Sequence, residues 1–148
     1  MPNFNSMRKL IAYLHSEVRD SLKTDVADDA VETMKERIGN VDDVGTDTVY
    51  GRYSPTQYER TGKLADSCVA YSVDANSVEL INTRTDEESG RYVPTVIESG
   101  KGYYNPELDA KIGARPFVAE TAEELKNGRL KKSMKKSLES KFGKGSVI

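Results

Sequence analysis

Residues 68–82 read CVAYSVDANSVELIN, and this segment decides the fold of the chain. Apolar side chains alternate with small or polar ones over 68–73 and again over 77–82, which is the period of a half-buried strand. Asp74-Ala75-Asn76 lies between the two runs and has the composition of a turn. The segment therefore predicts a β-hairpin with one face directed at a core.

A long amphipathic helix is predicted ahead of the hairpin, over residues 5–38. Its apolar side chains recur every three or four positions, which places them on one face of a helix. Gly39-Asn40 supplies the C-terminal stop, and Thr24-Asp25 offers a point of division into two helices. The apolar positions are Met7, Leu10, Ile11, Leu14, Val18, Leu22, Val26, Ala30, Met34 and Ile38.

A second helix is predicted near the end of the chain, over residues 117–141. Pro116 suits its first turn, because proline presets the backbone of a helix start. Ala122 and Leu125 keep one apolar stripe, and the phase slips at Gly128, where we expect a kink or a break. Beyond it, a second stripe consists of Leu130, Met134, Leu138 and Phe142.

The remaining segments are short elements and loops. One helical turn is expected within 61–67, and residues 92–98 fit either a strand or a short helix, with Pro94 against a central strand. Glycine, proline and polar residues mark 39–57, 83–90 and 99–115 as loops. We therefore predict an α+β fold, a small antiparallel sheet flanked by a long N-terminal and a C-terminal helix. It forms a single domain over 1–148 with a basic helical extension from about 126 to 148.

Charge is distributed unevenly along a chain whose net charge is only −2. Residues 17–47 carry ten acidic and four basic residues, whereas 126–148 carry eight basic and one acidic. One interpretation is that each run is the solvated face of a helix. The other is that two surfaces of opposite sign meet in an assembly or face DNA.

Cysteine content and hydropathy bound the compartment. The single cysteine, Cys68, cannot form an internal disulfide, which suits a reducing environment. No stretch approaches 18 apolar residues, and the N-terminus lacks the apolar centre of a secretory signal. We therefore expect neither a transmembrane helix nor a signal peptide.

Catalytic and metal-binding patterns are weak in this sequence. The single histidine, His15, is expected as a partly buried, hydrogen-bonded side chain on the flank of the first helix, and Cys68 as an inert thiol in a strand. Zinc sites need about four close Cys, His or carboxylate ligands. The acidic run 42–47 lacks the spacing of a calcium loop, and the glycines of 99–102 and 143–146 lack phosphate-loop spacing. We expect no enzyme activity, no metal and no cofactor.

Short motifs in a fixed order connect the chain with a known family. Residues 58–64 read YERTGKL and are followed by Ser67, later by Tyr92 and Glu98-Ser99-Gly100, and finally by Ala114-Arg115-Pro116-Phe117. With the helix before them and the hairpin among them, these strings resemble the bacteriophage tail-completion, or minor tail component, family. The likeness spans roughly residues 5–140. The insert at 83–90 and the long loop at 100–113 depart from the family pattern.

The resemblance implies a virion protein at the neck or the top of the tail. Such proteins are homo-oligomeric rings that join the head connector to the tail tube or tail terminator. Genomic DNA passes through them without sequence-specific contact, and no catalytic residues are involved. The protein would be assembled in the host cytoplasm and located in the virion. The rival hypothesis is a nucleic-acid-binding module that uses the basic C-terminal helix.

The motif residues make sense as architecture. Gly62 permits a tight turn with positive φ, and Leu64 anchors that turn to the core. Arg60 offers a planar donor fork for a carboxylate or for backbone carbonyls, and we expect Glu98 to be its partner. Phe117 is expected to pack on the sheet. The full motif set is Tyr58, Arg60, Thr61, Gly62, Leu64, Glu98, Arg115, Pro116 and Phe117.

Interface candidates come from loop tyrosines and from the last helix. Eight tyrosines and no tryptophan suit protein contact surfaces, although half-buried packing explains them equally well. We expect 99–113 to order against a neighbouring subunit, and the C-terminal helix to pack on a partner. The acidic region 17–47 is a candidate channel lining. The interface candidates are Tyr103, Tyr104, Leu130, Met134, Leu138 and Phe142.

Overall fold

The structure is a computed structural model that describes residues 3–52, 60–101, 104–105, 110–111 and 113–145. Six helices and two small antiparallel strand pairs follow one another in these ranges. In chain order they are α1 (Met7–Ser21), a π-helical segment (Leu22–Val26), α2 (Ala27–Ile38), α3 (Lys63–Asp66), β1 (Cys68–Ser72), β2 (Val78–Asn82), α4 (Val93–Ser99), β3 (Tyr104–Asn105), β4 (Ala110–Lys111), α5 (Phe117–Glu124), a bent connection (Leu125–Arg129) and α6 (Leu130–Phe142).

The first helix is continuous from Met7 to Ile38, with a wider turn in its middle. Ser6 caps its start, since the side-chain oxygen accepts a hydrogen bond from the amide of Lys9 at 3.4 Å. The π-helical segment lies at the predicted point of division, where the Thr24 hydroxyl donates to the carbonyl of Asp20 at 2.8 Å. Gly39 ends the helix with φ of 85°, as its sequence predicted.

The hairpin has the predicted strands and a clear inner and outer face. Cys68 pairs with Asn82 and both are buried, and this inner face lies against α2. Val69 pairs with Ile81 on the outer face. In the turn, the Asp74 carboxylate accepts a hydrogen bond from the amide of Asn76 at 2.6 Å. The α+β prediction is therefore confirmed, with α2 covering one face of the sheet.

The core forms where α2, α3, β1 and α5 meet. Ile38 has no exposed surface, and Met34 and Phe117 each expose 1%. Phe117 reaches this cluster from the first position of α5, and Pro116 directly precedes it. The cluster consists of Met34, Ile38, Val49, Leu64, Cys68 and Phe117.

The last helix turns back along the first one. Gly128, with φ of 116°, bends the chain where a kink was predicted. From there α6 packs on the π-helical segment and on α1. Ser137 donates a hydrogen bond to Asp25, Lys141 lies 3.0 Å from the Glu17 carboxylate, and the ring of Phe142 meets that of Tyr13 edge to face. We call this part of the molecule the α1–α6 pair.

The structure settles one alternative and changes two expectations. Residues 93–99 form a helix, which settles the alternative left open for 92–98. The loop over 99–115 contains the strand pair β3–β4. His15 is exposed and not partly buried, because the half of α1 that carries it extends beyond the elements that bury α2.

Candidate functional site

The residues of the predicted motif strings converge on one loop, residues 39–52. The Arg60 guanidinium donates to the carbonyl oxygens of Val41 at 2.7 Å and Asp43 at 2.8 Å, and to that of Tyr50. It also lies 5.6 Å from the centre of the Tyr50 ring. A planar donor fork suits this task, since one guanidinium can satisfy several carbonyls of an irregular loop.

A second motif arginine holds the same loop from the other end of the chain. Arg115 donates from its guanidinium to the carbonyl of Val49 at 3.0 Å, and its amide donates to the carbonyl of Ile97 at 2.9 Å. Val49 is buried in the core cluster. The two distant strings therefore cooperate in fixing residues 39–52 against the core.

The predicted pair between Arg60 and Glu98 is wrong. The Glu98 carboxylate instead accepts hydrogen bonds from the amides of Val118 at 3.1 Å and Ala119 at 2.9 Å. These are free amides in the first turn of α5, where the helix dipole favours a negative charge. The carbonyls of residues 39–52 take the Arg60 fork, so the two motif residues stabilise separate structures.

The other motif residues have local structural positions. Gly62 adopts φ of 74° immediately before α3, as expected, and Leu64 is buried. Thr61 is exposed. Tyr58 lies outside the described residues. The motif strings thus contribute turns, caps and core side chains.

Asn82 is a buried organising residue that the sequence analysis did not single out. Its amide nitrogen donates to the Leu64 carbonyl at 2.6 Å and to the Cys68 sulfur at 3.2 Å, and its backbone carbonyl accepts from the Tyr92 hydroxyl at 2.5 Å. Burial raises the pKa of the Cys68 thiol, and the hydrogen bond from Asn82 opposes this. A protonated, buried thiol fits the inert role predicted for Cys68.

A charged cluster at the bent connection was also missed. Arg129 lies 2.6 Å from Glu36, 2.9 Å from Glu124 and 3.3 Å from Asp29, and Glu124 also binds Arg37 at 2.5 Å. Hydrogen bonds from Arg129 and then Arg37 lower the pKa of Glu124. The bond with Glu36 contributes most to raising the pKa of Arg129. We call these five residues the Arg129 cluster.

This cluster borders an open depression of about 400 Å³. The depression is lined by Arg37, Glu120, Glu123, Glu124, Asn127 and Arg129. Such walls are charged and mutually paired, whereas small-molecule pockets are mostly apolar with a few polar groups. No group of three or more His, Cys, Asp or Glu suitable for a metal occurs in the described part of the chain.

The predicted interface residues fall into different settings. Met134, Leu138 and Phe142 are half-buried on the helix that packs along α1, and Leu130 remains 40% exposed. Tyr104 lies in β3, and Tyr103 is outside the described residues. The opposite charges expected to join subunits already meet within one chain, through the Lys141–Glu17 and Arg129 contacts.

Two groups of exposed apolar side chains stand out among the described residues. The first, here called the α1 stripe, consists of Met7, Ile11, Leu14 and Val18, which expose 70%, 47%, 38% and 42% of their surface. The second, here called the hairpin outer face, is centred on Val69, Tyr71 and Val73, which expose 39%, 46% and 58%. Exposed apolar patches are surfaces through which a protein can contact a partner. Among the described helices, none is long and apolar enough to cross a membrane.

Comparison with known proteins points to a phage-derived family. Residues 6–140 match the YomN family. The chain is also similar to the "SPbeta prophage-derived uncharacterized protein YomN" of Bacillus subtilis strain 168, with 34% identity over 129 residues, which covers 80% of this chain and 91% of that protein. No solved structure matches the chain.

Proposed function

The chain belongs to the YomN family, which is phage-derived, and on this premise we propose that it is a virion structural protein of the head–tail junction. It acts as a homo-oligomeric ring that joins the head connector to the tail. The order of its sequence motifs, which resembles that of tail-completion proteins, and its phage relative support this assignment.

The observation that carries the proposal is the exposed α1 stripe. A helix in water normally packs its apolar face on a neighbour. In this chain the apolar face of the first helix is buried along α2, but its continuation along α1, the α1 stripe, is exposed over three turns. Among the described residues the chain therefore presents an apolar surface that another protein could cover, which is what a subunit of an assembly needs.

The motif residues support a role in assembly in a different way. Arg60, Arg115 and Glu98 are all engaged in holding loops and helix starts of their own chain. Their contribution is a fixed shape. The proposed function therefore depends on surfaces, with connector and tail proteins as the partners.

Salt bridges within the chain reduce the number of acidic residues that could line a channel. Glu17, Asp29 and Glu36 face basic groups of their own chain. Asp28, Glu32 and Asp42 are exposed and remain available to a channel wall. Acidic walls would let DNA pass, because they do not release the counterions that drive binding to phosphates.

A phage deletion tests the function. In an inducible phage that encodes this chain, a stop codon at Lys9 should yield DNA-filled heads and separate tails in electron micrographs. Expression of the chain in trans should restore joined particles, and mass spectrometry should detect it in purified virions. Normal, infectious particles from the stop-codon phage would overturn the proposal.

A nucleic-acid-binding module is the second candidate, because the lysines of α6 are exposed. Lys141 is paired with Glu17, and the other four are Lys131, Lys132, Lys135 and Lys136. Replacing all four by Gln should leave particle joining intact if the junction function is right. Loss of a salt-dependent DNA affinity together with loss of function would favour the alternative.

A further inference from the structure

We propose that the α1 stripe of one copy packs on the hairpin outer face of the next copy, so that subunits join head to tail. This inference rests on the proposed ring and names the surfaces that close it. The occupant of each surface is therefore a second copy of the same chain.

The first support is that the apolar face of this helix is buried in its second half and exposed in its first half. Val26, Ala30, Met34 and Ile38 continue the α1 stripe at helical spacing, and each exposes 7% or less of its surface. Ala30, Met34 and Ile38 belong to α2, which packs on the inner face of the hairpin and on α5, whereas Val26 lies in the π-helical segment, which packs on α6. The exposed half has the same spacing and chemistry, so it suits the same kind of partner, the face of a small sheet.

The second support is that the helix cannot place this half on the hairpin of its own chain. The helix runs without a break from Met7 to Ile38, and Ser21, Leu22, Val26 and Ala27 all have right-handed helical φ and ψ. Arg19 in α1 donates to Asn76 in the hairpin turn at 2.8 Å. That contact fixes the hairpin beside the end of α1, while α2 occupies its inner face. A rigid helix in this position cannot fold back onto the outer face of its own hairpin.

The third support is agreement in size. Residues 7–18 of a helix span about 16 Å at the usual rise per residue. Strands of five residues span about 17 Å, and two strands are about 5 Å apart, so a pair with its side chains matches the width of one helix. The α1 stripe and the hairpin outer face are thus of similar extent.

The fourth support is opposite charge. Residues 7–18, which carry the stripe, include Arg8, Lys9 and Glu17. Glu17 is paired with Lys141, and Lys9 lies on the side of α1 that carries Ser16, so Arg8 is the charge beside the stripe. The hairpin, residues 68–82, includes Asp74 and Glu79 and no basic residue. Glu79 lies on the outer face, paired across the strands with Tyr71. Complementary charge at the rim of an apolar contact orients two partners and disfavours stripe-to-stripe pairing.

The arrangement has a consequence for symmetry. The two surfaces are different patches of one chain, so the contact is heterologous, and repeated heterologous contacts generate a ring when the rotation closes. A two-fold dimer through the stripe alone would instead terminate assembly at two copies.

Cross-linking distinguishes these outcomes. Ile11→Cys protein is mixed with Tyr71→Cys protein and treated with a short bismaleimide. We expect a cross-linked dimer from the mixture, none from either protein alone, and a ladder of higher species from the double variant. Ser16→Cys with Tyr71→Cys is the matched control and should not cross-link, since Ser16 is exposed on the opposite side of α1. Dimers from Ile11→Cys alone would overturn the proposal, as would the absence of a cross-link in the mixture.

Charge insertion gives an independent measurement. Ile11→Asp and Tyr71→Lys should each weaken self-association about tenfold or more by light scattering, and Ser16→Asp should not. Lys at position 71 faces Glu79 across the strands, so the hairpin of the monomer should keep its stability. If the native chain assembles and both variants assemble equally well, the inference is wrong while the ring remains possible. If the native chain stays monomeric at every concentration, the inferred contact between copies is wrong. The stop-codon phage then tests separately whether the chain is part of the virion.

Discussion

α1 and α2 are two halves of one helix with the same apolar spacing, yet they differ in almost every physical respect. In α2 the apolar face is buried, the buried set includes Thr33, and the neighbours are the hairpin and α5. In α1 only Ser21 is buried, and the apolar face is open. The difference shows that periodicity determines which face of a helix is apolar. Whether that face is covered depends on elements that come later in the chain.

The sharpest test of this comparison uses one residue type at both ends of the stripe. Ile38→Ala should lower the free energy of unfolding by about 2–5 kcal/mol, because it opens a cavity in a packed core. Ile11→Ala, at a site that is 47% exposed, should change it by about 0.5 kcal/mol or less in the monomer. Chemical denaturation at low protein concentration measures both. Similar losses at the two sites would contradict the division of the helix into two regions.

A second test concerns the loop that lines the buried half. Arg60→Ala should destabilise the protein by about 2 kcal/mol, because carbonyls of residues 39–52 lose their donor. Arg60→Lys should recover only part of this, since an ammonium cannot reproduce the planar fork. Arg91→Ala, at an exposed arginine, is the control and should have little effect. If Lys restored full stability, charge rather than geometry would explain the role of Arg60.

The Arg129 cluster joins α2 to α5 and the bent connection. Arg129→Met should cost about 1–2 kcal/mol, because three carboxylates that now share one guanidinium would face one another, with part of this repulsion screened by solvent. Adding Glu36→Gln to the variant should restore some stability by removing one of those charges. No recovery in the double variant would show that packing of the arginine stem dominates.

Removing most of α6 should affect the two regions unequally. Without residues 132–148 the amide protons of α1 should exchange much faster, whereas those of α2 should keep most of their protection. Residue-resolved hydrogen exchange measures both in one experiment. If protection in α2 fell as far as that in α1, the whole helix would be a single cooperative unit.

Acid should weaken the Arg129 cluster in a defined pH range. Bonds from Arg129 and Arg37 lower the pKa of Glu124 below its ordinary 4.5, so this group stabilises the fold at neutral pH. Its contribution is complete above about pH 4.5 and is lost as the pH falls toward the lowered folded pKa. In an unfolding series across this range, Glu124→Gln should show a shallower acid slope than the native chain. Equal slopes would mean that other carboxylates control acid unfolding.

Local patterns predicted most of the fold. Alternation over 68–82 identified the hairpin, and glycines at 39, 62 and 128 identified a stop, a turn and a bend, because each of these signals acts within a few residues. Residues 92–98 stayed ambiguous, since so short an apolar run fits a strand or a helix equally well.

The contacts between distant segments could not be predicted in the same way. Arg129 meets Asp29 across 100 positions of sequence, and only the bend at Gly128 brings them together. The expected Arg60–Glu98 pair failed for a related reason, because the sequence shows which groups carry charge but not which backbone groups will need them. Asn82 was overlooked because its side-chain amide donates to a backbone carbonyl. The sequence does not show where the fold places such carbonyl groups.

The position of Phe117 in the core has a consequence for how the protein is made. Residues 7–38 are synthesised long before Phe117, whose aromatic ring packs on the buried half of this helix. About 80 residues separate Ile38 from Phe117, which is roughly 4 to 16 seconds of translation at usual bacterial rates. During that interval the whole apolar face of residues 7–38 is exposed. We therefore expect ribosome-associated chaperones to bind the nascent chain until α5 emerges.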